Sequence, residues 1–360
     1  MKEFENKIYR RLLPPVLACL VLALAGCSQD ATEAEAPSSP TGGTYLTIVT
    51  RGIVTGTEDQ SNYEDYVGSL RVIAFKNGEV ALNKKLTDLP NEKGMQPDTE
   101  VDLTEEGERL QIGTGGGAYT FYFIANEEGH TTDGKTTLQS VLENKNITVD
   151  ALESQQVQFT EAELSVPSGT KMLMSTKMPV YIEEGVNKPI EVVLDRALAK
   201  AQLVIQSTDK ITDNISVSLP KNEIPASYSL IKQETIESST TFSDAGSILL
   251  EGDGEIFDDK ALPDNDNVSN EYISQVVYLP ERAATNISDA LYYSIIIGNR
   301  TYDNQAPIAY KKSDQTMEYN IIRNYAYTTI CTYDPAQPAT LSLTYTVQPW
   351  GTGGGEHTFN

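Results

Sequence analysis

Beyond residue 43 the chain is a series of short runs of β-branched, aromatic and aliphatic residues separated by polar turns. That is the pattern of strands rather than of amphipathic helices. Thr44–Arg51 is one such run, and Val67–Phe75 and Ala118–Asn126 read as buried strands. Lys76-Asn77-Gly78-Glu79 carries Asn-Gly turn chemistry ahead of Val80–Leu82, which predicts a hairpin. Thr136–Asn144 is the one clear helix expected in this half. Strand character returns at Lys171–Met174 and over Ile190–Ile205, the latter as a long strand or a pair crossing a domain boundary. Further strands are expected near Ile215–Leu219, Ser247–Leu250, Tyr272–Leu279, Leu291–Ile297, Ile308–Lys312 and Tyr325–Thr332, with acidic loops such as Glu251–Asn270 between them.

Thr340–Val347 alternates most strictly. Leu341, Leu343, Tyr345 and Val347 fall on one face and Ser342, Thr344 and Thr346 on the other, which predicts a strand buried on one side. Pro349-Trp350 and the Gly-rich stretch Gly351–Gly355 follow it. An amphipathic strand beside a flexible end can pair with a neighbouring chain as readily as with its own domain.

Many short strands with turn-rich spacing and few short helices predict an all-β protein of two β-sandwich domains in tandem. The expected domains are residues 52–196 and 197–360, with no internal sequence repeat.

The N-terminus has a different character. Lys2, Lys7, Arg10 and Arg11 precede the apolar run Leu12–Ala25, which Leu24-Ala25-Gly26-Cys27 closes. Residues 1–26 therefore read as a signal peptide, too short to span a bilayer comfortably. The last four residues match a lipobox, whose Cys, here Cys27, receives the acyl chains. Residues 28–43 have linker composition, and the acidic tract Ser28–Glu35 resembles the surface-export tract of Bacteroidetes lipoproteins. Once Cys19 leaves with the signal and Cys27 is acylated, Cys331 is the single thiol left, so no internal disulfide is expected.

Composition narrows the function. With 51 acidic against 27 basic residues the formal charge is −24, which disfavours nucleic acid and anionic membranes as partners. His130 and His357 lie far apart, and neither sits in a nucleophile–base motif or a zinc spacing. Gly113–Gly117 lacks the Lys-Ser/Thr of a phosphate loop and leads into a strand. Asp264–Asn267 is rich in oxygen ligands, but Val268 stands at a ligand position and no Gly follows, so a solvated acidic loop is expected. No catalytic residue, metal or cofactor is expected. The 19 Tyr are expected to pack across strands.

Several short segments together resemble the Bacteroidales type V fimbrillins, the FimA-like and Mfa-like pilus subunits. They are the lipobox ending at Cys27, Arg51 at the end of an early strand, Phe121–Asn126 (FYFIAN), Met172–Pro179 (MLMSTKMP), Asp195–Lys200 (DRALAK), Arg323–Tyr327 (RNYAY) and Val347–Trp350 (VQPW). The resemblance implies two transthyretin-like, Greek-key sandwiches behind a lipidated leader, residues 27–51. It also implies that an Arg-specific protease cuts between Arg51 and Gly52, removing the first strand with the leader. A donor strand from another fimbrial subunit, here residues 339–350 with the face Leu341, Leu343, Tyr345 and Val347, then fills the groove. The expected setting is the outer membrane and cell surface, in a fimbria serving adhesion and biofilm formation. The alternatives are an anchor or tip subunit, or a monomeric glycan-binding surface lipoprotein.

Overall fold

The computed structural model describes residues 45–51, 67–86, 100–101, 110–111, 116–165, 172–184, 188–236, 240–242, 245–257 and 268–349. The first group of strands is β1 (Tyr45–Arg51), β2 (Leu70–Lys76), β3 (Glu79–Leu86), β4 (Glu100–Val101) and β5 (Leu110–Gln111). It continues with β6 (Gly117–Ala125), β7 (Gln156–Gln158), β8 (Met174–Ile182), β9 (Lys188–Val193) and β10 (Asp195–Arg196). The second group opens with β11 (Ala199–Ser207), β12 (Ile215–Pro220), β13 (Ser227–Ser229), β14 (Ser247–Leu250), β15 (Ser269–Ile273) and β16 (Val277–Leu279). It closes with β17 (Tyr292–Ile297), β18 (Arg300–Pro307), β19 (Tyr310–Lys311), β20 (Met317–Glu318), β21 (Tyr325–Tyr333) and β22 (Leu341–Pro349). Two short α-helices, α1 (Leu138–Leu142) and α2 (Val149–Glu153), lie among the described residues. The protein is all-β in class.

The best-formed sheet of the first group is antiparallel, in the order β10–β8–β6–β2–β3. Its β2–β3 hairpin turns at Asn77 (φ 53°) and Gly78 (φ 83°), the doubly positive turn whose twist matches the flanking strands. Both faces of the sheet are covered. Val72, Ala74, Phe121 and Phe123 face one way and meet Ile190 and Val192 of β9. Ile73, Phe75, Tyr122 and Ile124 face the other way, onto Leu138 and Leu142 of α1 and Leu152 of α2. Most residues of β2 and β6 thus have a core to enter, which is why the sequence there is largely apolar rather than alternating.

In the second group β11 lies between β21 on one side and β15 and β16 on the other, and β21 carries β22 on its far side. The facing sheet runs β14–β12–β17–β18. Leu203, Ile205, Val217, Leu219, Ile295 and Cys331 fill the space between the two sheets. The two groups change over between Arg196 and Ala199, and one small ladder, β7 with β13, joins them. Apolar packing does not divide there. Tyr122 and Leu142 share one cluster with Leu203 and Tyr293, and Gly42–Asn360 is one compact unit.

Several elements differ from the sequence expectation. α2 follows α1, capped by the Thr148 side chain on the Ala151 amide, but only Leu152 of its five residues is buried, so it offers no periodicity to read. The strand expected at Lys171–Met174 begins at Met174 and runs to Ile182. Pro179 hides it, and is tolerated because β10 borders β8 only at Met174 and Ser175. Ile190–Ile205 spans β9, β10 and β11. Tyr272–Leu279 breaks into β15 and β16 at a bulge, where Ser274–Val276 stand opposite only Gln202 and Leu203 of β11; Gly254 lies against it, and a Cβ there would stand 2.1 Å from the Ser274 carbonyl oxygen. β18 carries no strand pattern in the sequence, since Arg300–Gln305 is polar but for Tyr302, yet it pairs with β17 across the turn at Gly298 (φ 62°).

Candidate functional site

β1 is an interior strand. It runs parallel to β9 from the pair Leu46–Lys188 to the pair Arg51–Val193. It is antiparallel to β4 (Ile48 with Val101, Val49 with Glu100) and to β5 (Tyr45 with Gln111, Leu46 with Leu110). β9 occupies one edge of β1 along Leu46–Arg51, so β4 and β5 share the other. Every pairing within this sheet, among the described residues, passes through β1. Neighbouring strands lie about 4.8 Å apart, so a missing β1 leaves a gap one strand wide between β9 and the β4–β5 edge. Arg51 is the last residue of the strand; Gly52 and Cys27 lie outside the described residues.

β22 pairs antiparallel with β21 over nine residues, from Tyr325–Pro349 to Tyr333–Leu341. Leu341, Leu343 and Val347 pack onto the core, and Tyr345 lies on the same face, partly buried. Ser342, Thr344 and Gln348 are exposed. The alternation read from the sequence is therefore the alternation the strand displays. No residue of β22 is fully buried, whereas seven of the nine residues of β21 are. Among the described residues β22 is the outermost strand of its sheet, and its apolar face covers the margin of the core beside β21. Trp350 and Gly351–Gly355 lie outside the described residues.

Four of the motif segments, Phe121–Asn126, Met172–Pro179, Asp195–Lys200 and Arg323–Tyr327, meet at the junction between the two groups of strands. The Asn126 side chain donates to the Met172 carbonyl at 2.8 Å and accepts from the Gly68 amide at 2.8 Å. Asn324 (φ 60°) donates through its side chain to Asp195, accepts from Arg196 Nη1 at 3.1 Å and gives its backbone amide to the Leu198 carbonyl. Arg323 is wholly buried; its Nη2 donates to the Ser229 carbonyl at 2.5 Å. Arg323 Nε lies 2.8 Å from Glu281 Oε2 but off the line of a hydrogen bond, so that contact is ionic. These segments hold the halves together. They do not form a catalytic constellation.

His130 joins the same junction. Tyr228 donates to Glu163 Oε1 at 3.0 Å, and His130 Nδ1 lies 3.5 Å from both groups. Burial and the Glu163 carboxylate push the Tyr228 phenol far above its ordinary range. Among the described residues no cluster of His, Cys, Asp and Glu could hold a metal ion. His357, Asp264–Asn267 and Gly113–Gly115 lie outside those residues. Of the tyrosines, Tyr122, Tyr293, Tyr302 and Tyr327 are fully buried, as packing requires. The buried Arg71 guanidinium donates to the Glu127 carboxylate at 2.7 Å and to Asn83 Oδ1 at 3.0 Å; the sequence did not indicate either partner, because only the fold brings them together.

Residues 44–193 match the family model described as Major fimbrial subunit protein (FimA). The match begins at β1 and ends with β9, the strand that β1 parallels. The resemblance to the fimbrillins read from the sequence is thereby shown, and the fold agrees. A solved structure described as the tip fimbrial protein Mfa3 from Porphyromonas gingivalis with C-terminal truncation superposes with a TM-score of 0.54. It is 14% identical, over 85% of this chain and 99% of that one. A fimbrilin (fimA) from Porphyromonas gingivalis W83 superposes with a TM-score of 0.50 at 12% identity, over 86% and 98% of the two chains. At such identities the likeness is one of fold. No curated protein matches the chain.

Proposed function

We propose that the protein is a structural subunit of a cell-surface fimbria, exported as a lipoprotein at Cys27, matured by cleavage between Arg51 and Gly52, and polymerised by strand replacement. The observation that carries this reading is the position of β1. It is the strand on which its whole sheet depends, it stands at the start of the family match, and it ends at an Arg. Its departure with the leader leaves a sheet with two unpaired edges, a state that demands a substitute strand.

β22 is the substitute of choice. It is the outermost strand of its sheet, its four apolar side chains are each worth about 1.5–3 kcal/mol on full burial, and at home they are only partly buried. Ladder hydrogen bonds in the new site add about 0.5–1.5 kcal/mol each. Because donor and acceptor are different surfaces, repetition makes an open filament. Adhesion and biofilm formation are the roles such a filament serves, with the outer membrane as the site of the lipidated precursor.

Mass spectrometry of filaments sheared from cells is expected to find chains beginning at Gly52. Chains that all remain acylated at Cys27 would instead make this an anchor. Deleting residues 339–360 is expected to leave a folded monomer that forms no filament; filaments of normal length from that variant would refute β22 as donor.

A further inference from the structure

The sheet β14–β12–β17–β18 turns one side to the core, where Val217, Leu219, Leu250, Ile295 and Ile297 are buried. The ladder registers fix what lies on its other side. Leu249 stands opposite Ser218, and Ser218 opposite Ser294. Two residues further along, Ser216 stands opposite Ile296, and Ile296 opposite Thr301. Leu249 is 61% exposed and Ile296 39%, although both are large and aliphatic. No residue of β12, β14 or β17 is charged, in a chain of formal charge −24. β18 carries the two charges of the sheet, Arg300 and Asp303, and both are engaged. Asp303 accepts from the Ser294 hydroxyl at 2.5 Å, and Arg300 Nη1 donates to the Pro338 carbonyl at 3.3 Å.

Two copies of so acidic a chain repel each other, and they approach at least cost where neither presents net charge. The outward side of this sheet is such a place, and its layout is self-complementary. With strands about 4.8 Å apart and about 3.4 Å per residue, Leu249 and Ile296 are separated by about 12 Å. The midpoint between them falls on β12, between Ser216 and Ser218. A two-fold axis lying in the interface through that point, across the line joining the two side chains, sets Leu249 of each copy on Ile296 of the other. Serines near the axis leave room for the sheets to approach. We propose that this face is a self-association surface, on which a second copy of the chain packs sheet to sheet with Leu249 and Ile296 as reciprocal anchors. A face about 20 Å on a side buries about 400 Å² per copy, about 800 Å² in all, below the ~1,200 Å² of a stable complex. The contact is therefore weak between single chains, and it gains strength where filaments lie side by side and repeat it. That use rests on the fimbrial reading above, whereas the contact itself does not.

The test is sedimentation of the full-length chain over a range of concentration. The chain is expected to be monomeric at about 10 μM and to associate as it approaches about 1 mM. Association is expected to strengthen between about 50 and 500 mM salt, as repulsion between the acidic copies is screened. Leu249→Glu and Ile296→Lys are each expected to weaken it by about tenfold or more, because each sets a charge against an aliphatic side chain. Mixed in equal amounts, the two variants are expected to associate as the unaltered chain does. In that pair the two new charges face each other, and one Leu249–Ile296 contact remains. A chain still monomeric at about 1 mM, association that salt weakens, or single variants that associate normally would overturn the proposal. A mixture that fails to recover would overturn the reciprocal pairing. Single chains that associate in this way, from cells that never make a filament, would refute the fimbrial reading and leave the self-contact in place.

Discussion

Cys331 stands directly opposite Leu343 in the β21–β22 ladder. Burial pushes its thiol well above the ordinary cysteine range, and the thiolate is the reactive form. β22 is thus the cover of the one thiol expected in the mature chain. In the monomer Cys331 is expected to resist alkylation. In the variant lacking residues 339–360, and in filaments whose β22 has been donated, it is expected to react about tenfold faster or more. Equal protection in monomer and filament, measured by mass shift after iodoacetamide, would mean that β22 stays at home.

The Tyr293 hydroxyl is buried without a hydrogen-bond partner, on a ring with no exposed surface. Leaving such a group unsatisfied costs about 1–3 kcal/mol, so Tyr293→Phe is expected to stabilise the protein or leave it unchanged. A urea midpoint that falls would mean that the hydroxyl has a partner.

Arg323 ties the start of β21 to the Ser229 carbonyl and to Glu281. Arg323→Met is expected to destabilise the fold by about 3–5 kcal/mol, since it strands a largely buried carboxylate. Arg323→Met with Glu281→Gln is expected to recover part of that loss. Additive losses in the double variant, by urea denaturation, would show that the two side chains do not interact.

On the alkaline side the tyrosines set the limit. Burial, with Asp253 and Glu251 nearby, pushes Tyr272 up to about 12, and burial with Glu318 does the same for Tyr310. The unfolded chain ionises its tyrosines near ~10 and so releases these protons first. Stability therefore holds below about pH 10 and falls between about 10 and 12, as the unfolded state binds fewer protons than the folded one. Tyrosinate absorbance and loss of structure are expected to rise together in that window. Titration of all tyrosines near pH 10 with the fold intact would contradict it.

How far the sequence could be read depended on what each strand faces. β2 and β6 were legible because both their faces are buried, and the Asn77-Gly78 turn because only that chemistry suits two positive φ angles. β22 showed its period because one face is wet. β18 and β8 were not legible, since the polar Arg300–Gln305 and the edge-tolerated Pro179 carry no strand signal of their own. The two β1 partners β4 and β5 are two-residue pairings, too short to have any pattern. The motif segments could be listed but not assembled, because Asn324 reaches Asp195 and Arg196 across more than a hundred residues of chain, and such closures leave no local trace.

The parallel ladder of β11 and β21 has a mechanical meaning. Chain leads directly from β9 through β10 into the start of β11, and onward from the end of β21 into β22. If neighbouring subunits grip β9 at one end and hold β22 at the other, tension enters β11 at its first residue and β21 at its last. Two parallel strands drawn from opposite ends slide in shear, so the eight paired positions from Lys200–Ala326 to Ser207–Tyr333 resist together rather than unzipping one by one.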